Sequence, residues 1–123
     1  MGKERINLGK FGEKVAAIFL KRNGYVILER NFSCLFGEID IIAKDKEAVA
    51  FIEVRTRQSD EYGLPVESIR RAKKKKLIRT AWFYIKGRNL EDSLFRFDVV
   101  SVLIGNRRRR PEVGLIKDAF GED

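Results

Sequence analysis

Two carboxylates that the sequence sets side by side are the first sign of chemistry in this chain. They are Asp40, in Gly37-Glu38-Ile39-Asp40-Ile41-Ile42, and Glu53, in Phe51-Ile52-Glu53-Val54-Arg55-Thr56-Arg57. Both runs alternate apolar and charged residues with period two, the mark of a strand that buries one face. Joined as a hairpin over Lys46-Glu47, they pair Ile39 with Val54, Ile41 with Ile52 and Ala43 with Ala50. Asp40 then lies opposite Glu53, and Glu38 opposite Arg55. A slip of one residue would set apolar groups beside charged ones, so the register is well specified. Opposite residues in such a pair have Cβ atoms roughly 4.5–5.5 Å apart, where like charges repel. A bridging divalent cation would relieve that repulsion. A network of ion pairs would serve as well, with Glu38 on Arg55 and Asp40 on Arg57 or a residue from elsewhere. The pattern alone leaves both open.

The rest of the composition restricts what these acids can do. The chain has no histidine, which excludes His-based triads, histidine zinc sites and histidine-metal nucleases. A general acid or base must therefore be a carboxylate, a lysine or metal-bound water. Neither a Gly-x-x-x-x-Gly-Lys phosphate loop nor a Gly-x-Gly-x-x-Gly fingerprint occurs. The single cysteine, Cys34, gives no disulfide framework and no multi-cysteine zinc site, which favours a reducing cytoplasm. The opening residues Met1 to Ile6 lack the apolar core of a signal peptide, and no apolar run approaches the roughly 18 residues of a membrane span. At 123 residues the expectation is one domain, 1–123, with one core.

The net charge is +8, and the cations are clustered. One group runs from Arg70 and Arg71 through Lys73, Lys74, Lys75 and Lys76 to Arg79, and another is Arg107, Arg108, Arg109 and Arg110. Clustered cations point to a polyanion, nucleic acid rather than a membrane surface, because the basic stretches lack an insertable aromatic face. The tetra-arginine run lies between Gly105-Asn106 and Pro111, so it reads as a loop able to grip phosphates.

The elements that must position these groups can be sketched. From about Asn7 to Asn23, Leu8, Phe11, Val15, Ile18 and Phe19 form a helical stripe that ends at Gly24. Glu13 lies off that stripe among Gly9, Ala16 and Ala17, small residues that permit a close approach, and Gly12 invites the same explanation. A strand begins at Tyr25-Val26-Ile27-Leu28, and the hairpin follows. A second helix, with Pro65 near its first turn, presents Val66, Ile69, Ala72, Leu77, Ile78, Ala81, Trp82 and Ile85. Lys73 falls in that sector, either snorkelling to water or reaching over the sheet toward the acids. Leu94 to Val102 and Val113 to Lys117 read as further strands, giving an α/β or α+β sheet flanked by helices.

Taken together these residues resemble a known series. Glu13 on an N-terminal helix, Asp40 in Gly-Glu-Ile-Asp, and Glu53-Val54-Arg55 resemble the active-site series of the PD-(D/E)xK nuclease superfamily. More closely, the chain resembles the YraN-like family of small bacterial proteins, described as endonuclease-like and similar to archaeal Holliday-junction resolvases. The likeness extends to Gly12-Glu13 with Ala16, Gly24-Tyr25, Arg30-Asn31-Phe32, Gly63, Lys73 and Arg96-Phe97-Asp98-Val99-Val100. It implies a restriction-endonuclease-like fold, a mixed central sheet of four to five strands flanked by helices. It also implies that Glu13, Asp40 and Glu53 bind Mg²⁺ or Mn²⁺ for phosphodiester hydrolysis. The expected partner is nucleic acid, DNA rather than RNA, with branched DNA and a homodimer suggested by the resolvases. Arg57, Arg70, Lys73, Lys74 and Arg107 to Arg110 would hold the phosphate backbone. One position departs from the series: the superfamily has lysine where this chain has Arg55, which stays charged and cannot act as a base. That departure keeps a non-catalytic nucleic-acid-binding module in view beside the enzyme.

Overall fold

The computed structural model describes residues 7–58, 69–105 and 110–121. Helix α1, Leu8–Arg22, starts at Asn7, whose side chain accepts the Lys10 N–H at 3.1 Å. It stops at Asn23, and Gly24 follows at φ 89°, the left-handed backbone that glycine adopts without strain. Strands β1 (Val26–Cys34), β2 (Gly37–Asp45) and β3 (Ala48–Arg57) then form an antiparallel meander. Helix α2, Arg71–Gly87, carries the chain to β4 (Leu94–Leu103), which lies parallel to β3; a parallel pair needs such a crossover. Strand β5, Glu112–Phe120, closes the sheet in the order β1-β2-β3-β4-β5. A five-stranded mixed sheet with two flanking helices is the architecture of a restriction-endonuclease-like fold.

Alternate residues of the sheet enter two cores. On one face, Ile42, Phe51 and Val99 pack with Leu77, Ala81, Tyr84 and Ile85 of α2. On the other, Ile41, Ala50, Ile52, Val100 and Val102 pack with Ala16, Ala17 and Leu20 of α1. The contact face of α1 overlaps the expected stripe only in part: Val15 and Phe19 pack, partly buried, against the core. Gly12, Ala16, Ala17 and Leu20 are buried, whereas Phe11 and Ile18 are exposed. Small residues bring the helix backbone onto the sheet, and that closeness buries more than large side chains standing off would. On α2, Ala72 is exposed, contrary to expectation. This helix begins at Arg71 rather than near Pro65, and Pro65 and Val66 lie outside the described residues.

Gly12 marks the closest approach. A Cβ there would overlap Thr56 Oγ1 and come within 2.9 Å of the Thr56 Cβ. Gly12→Ala should therefore destabilise by about 1–3 kcal/mol through overpacking, although alanine favours a helix by about 1 kcal/mol. Adding Thr56→Ala should recover part of the loss. Urea melts showing Gly12→Ala neutral or stabilising would refute the contact.

The hairpin has the predicted register, Ile41↔Ile52 and Ala43↔Ala50, with the turn at Lys46-Glu47. The ladder ends at Ile41↔Ile52, so the expected pairs of Ile39 with Val54, Asp40 with Glu53 and Glu38 with Arg55 are not formed, and Asp40 meets β3 through its side chain. Instead Glu38 is matched with Ser33 on β1. Ile39 also changes face, joining the α2 core while Ile41 remains in the α1 core. Strand β2 thus rolls about its own axis at Asp40. The β1 pairs on either side, Arg30↔Ile41 and Phe32↔Ile39, bracket Asn31, which has φ 56°. The roll frees the Asp40 carboxylate from both layers.

Candidate functional site

Where β2 and β3 part, the chain leaves a cleft of about 340 Å³. It receives Glu13 from α1, Asp40 from β2, Glu53, Arg55 and Arg57 from β3, and Lys73 from α2. The Gly12–Thr56 contact sets how near Glu13 comes. The freed carboxylate of Asp40 fills the place of a strand partner: the Val54 N–H donates to Asp40 Oδ2 at 2.8 Å. Glu53 is 5% exposed and carries two cations. Lys73 Nζ stands 2.6 Å from its Oε2, and Arg55 Nη1 stands 3.4 Å from the same oxygen. Lys73 therefore reaches over the sheet toward the acids.

Burial, reinforced by the charges of Glu53 and Glu13, pushes the Asp40 carboxyl up to about 7; the Val54 amide opposes the shift. The proton favoured there is one that Asp40 can share with Glu53. The folded pKa lies above the unfolded one, so between about 4 and 7 the folded state holds more protons and stability rises as pH falls. With chelator present, the protein should gain stability on going from pH 8 to pH 5. Asp40→Asn should flatten that dependence and stabilise at pH 8 by about 1–2 kcal/mol, allowing for screening by solvent. The charges acting on Asp40 are Glu53 and Glu13, with Lys73 and Arg55 held on Glu53, and Glu53→Gln should reduce the slope too. A melting temperature independent of pH over this range would contradict the repulsion.

Among the described residues no three acidic side chains converge tightly enough to form a ready-made ion cage. The donor set nevertheless suits Mg²⁺ or Mn²⁺, which take oxygen ligands and keep several waters. The Lys73 ammonium offsets Glu53, whereas the raised pKa of Asp40 comes from burial and its acidic neighbours, a repulsion that a bound cation would relieve.

The other sequence-predicted cations are dispersed. Arg70 is the exposed N-cap of α2, and Lys74 Nζ lies 5.6 Å from the Phe120 ring, toward β5. Arg110 is exposed just before β5. Arg107, Arg108 and Arg109 lie outside the described residues.

A second polar cluster has a different character. Asp98 is fully buried and accepts bonds from the Tyr25 hydroxyl at 3.0 Å, Arg96 Nε at 2.9 Å and the Asp118 N–H at 2.9 Å. Arg96 also donates to Tyr25 and to Asp45, which holds Lys117 as well. Burial works against the charge of Arg96, but its bonds to Asp98 and Asp45 outweigh this and raise its pKa. Burial and the neighbouring Asp98 charge push Tyr25 up to about 12, and the Arg96 and Lys117 bonds lower Asp45. Among the described residues no buried side-chain nitrogen or oxygen lacks a hydrogen-bond partner, which is the condition for a structural clamp. It joins Tyr25, the residue before β1, to β2, β4 and β5.

A helix, a three-strand meander and a crossover, with acids gathered where β2 leaves β3, define a small protein of restriction-endonuclease-like fold bearing an acidic cleft. The chain belongs to the uncharacterised protein family UPF0102, whose profile matches residues 12–102, and this is the YraN-like group that the motifs resemble. A UPF0102 protein of Clostridium acetobutylicum is 47% identical over 112 residues, covering 91% of this chain and 92% of that one. Another, from Clostridium botulinum strain Loch Maree, is 48% identical over 115 residues, 93% of this chain and 94% of that one. A third, from Clostridium tetani, is 47% identical over 113 residues, covering 92% and 93%.

Proposed function

We propose that this protein is a Mg²⁺- or Mn²⁺-dependent endonuclease that hydrolyses phosphodiester bonds in DNA, including branched DNA. The observation that carries this reading is the Asp40–Glu53 pair, held in one cleft with Glu13 and faced by Arg55 and Lys73. Asp40 and Glu53 would hold the ion directly, the Val54 carbonyl would add an oxygen, and Glu13 would act through water. The bound cation supplies a water of lowered pKa and offsets phosphate charge. Arg55 presents its fork to the scissile phosphate. Lys73 neutralises Glu53 in the free protein and supplies from α2 the amine that the superfamily takes from β3. The cationic residues around the cleft bind the flanking backbone without reading bases.

The test is a cleavage screen of four-way junction, flap, single-strand and duplex DNA with Mg²⁺, Mn²⁺ or chelator. Nicking that requires the metal is expected, together with a rise in melting temperature on adding Mn²⁺. A second reading is favoured by the Lys73–Glu53 ion pair and by Arg55: a module that binds nucleic acid without cutting it, its cation replaced by Lys73. Salt-sensitive DNA binding with no cleavage of any substrate, and no thermal response to metal, would establish that module and end the enzyme reading.

A further inference from the structure

Away from the acidic cleft, α2 and the β1–β2 turn enclose a shallow recess of about 620 Å³. Phe36, Trp82 and Phe83 provide its aromatic surface, and Arg79 and Lys86 its rim. Phe36 is 37% exposed and Phe83 46%, large values for rings that could have turned inward. The two rings meet edge to face at 6.1 Å, and Phe32 supports Phe83 at 6.4 Å. The Arg79 guanidinium stands 5.8 Å from the Phe36 ring. Neither the fold nor the acidic cleft requires this arrangement, and open apolar surface of this kind marks a binding face.

Charge selects the occupant. Helix α2 carries seven cations and no acid between Arg71 and Gly87. Two copies joined through α2 would oppose those cations, so self-association is disfavoured. The rings lie in a recess, propped against one another, rather than projecting as an anchor for lipid would. Flat rings rimmed by cations are the chemistry of base stacking with phosphate contacts.

We propose that this recess stacks the unpaired bases of a nucleic acid strand whose phosphates run along α2 to the acidic cleft. The proposal rests on the nucleic-acid reading above and specifies its substrate. Lys73, Lys76, Thr80 and Phe83 share one stripe of the helix, and the turn holding Phe36 packs on it: a Cβ at Gly37 would meet Thr80 Oγ1 at 3.1 Å. Lys73 and Phe83 lie ten residues apart on α2, roughly 15 Å at about 1.5 Å per residue. Stacked nucleotides rise about 3.4 Å each, so the path holds about four of them. The substrate is then one whose strand is unpaired a few nucleotides from the bond to be cut, such as a flap, a gap or an open branch.

Trp82 is the chain's only tryptophan and lines the recess, so its emission reports occupancy. The full-length protein, in chelator, is titrated with a short oligothymidylate, an abasic strand with the same phosphates, and a blunt duplex. The thymidylate should quench Trp82 and bind about tenfold or more tighter than the abasic strand. Phe36→Ser and Phe83→Ser should each remove about tenfold of that affinity, leaving abasic and duplex binding unchanged, and Phe83→Tyr should retain it. Should a serine variant fail to melt cooperatively, Phe83→Leu keeps an apolar side chain without the flat ring and must show the same loss. Equal binding of thymidylate and abasic strand, with Trp82 unquenched, overturns the stacking site while phosphate gripping and cleavage still stand. Quenching by anionic phospholipid vesicles but not by thymidylate, or a dimer that Phe83→Ser dissolves, also overturns it. If no nucleic acid of any form binds, both the recess and the nuclease reading fall.

Discussion

Asp98→Ala is expected to lower the stability of the folded chain by about 3–5 kcal/mol, the usual cost of breaking a buried ion pair from one side. The carboxylate is fully buried and accepts from Tyr25, Arg96 and the Asp118 N–H. Alanine would leave the Asp118 N–H without its acceptor and Arg96 with Asp45 alone to offset a half-desolvated charge. Natural domains hold only about 5–15 kcal/mol in total, so the melting temperature should fall on the order of 10–20 °C. Asn at this position sets an amide NH₂ among three donors, and most of the loss should remain. A urea melt that shifts by less than about 1 kcal/mol would show that the cluster is incidental.

Arg55→Lys should reduce metal-dependent cleavage by one or two orders of magnitude, on the order of 1–3 kcal/mol in the barrier. The substitution restores the residue that the nuclease superfamily uses, so a gain would be the naive expectation. The geometry argues otherwise. Lys73 already sets an ammonium 2.6 Å from Glu53, whereas Arg55 stands 3.4 Å from the same oxygen. A second amine would duplicate what Lys73 supplies, and the planar two-pronged guanidinium would be lost. Binding of DNA should change little. Faster cleavage in the lysine variant, with a gain that grows at alkaline pH, would show that proton transfer limits the rate and that Arg55 is a handicap.

The parts of this molecule legible in its sequence are those set by local periodicity. The hairpin register followed from Ile41, Ile52, Ala43 and Ala50 because a slip would invert every side chain. The roll at Asp40 was not legible, since it shows only in which core Ile39 and Ile41 enter, a tertiary outcome. The face of α1 was legible in part: Val15 and Phe19 do pack on the core, but Phe11 and Ile18 outweigh Ala16 and Ala17 in hydrophobicity, whereas packing rewarded closeness; Gly12 was the available signal. Of the two orientations open to Lys73, only the tertiary fold could choose. The Asp98 clamp and the aromatic recess assemble residues from distant segments, and no spacing rule reports that. Arg96 and Asp98, two apart in a largely apolar strand, were a visible hint of the first.

The Val54 amide has a consequence beyond the site itself. Its hydrogen is held by a side chain, Asp40, where a sheet would ordinarily offer a main-chain carbonyl. Anything that draws that carboxylate away, whether a proton or a ligand, releases one specific backbone hydrogen. The nitrogen resonance of Val54 and its rate of exchange with deuterium would then follow the state of the cleft, while neighbours such as Ile52, deep in the ladder, stay silent. The protein thus carries its own single-atom indicator, readable before any substrate is known.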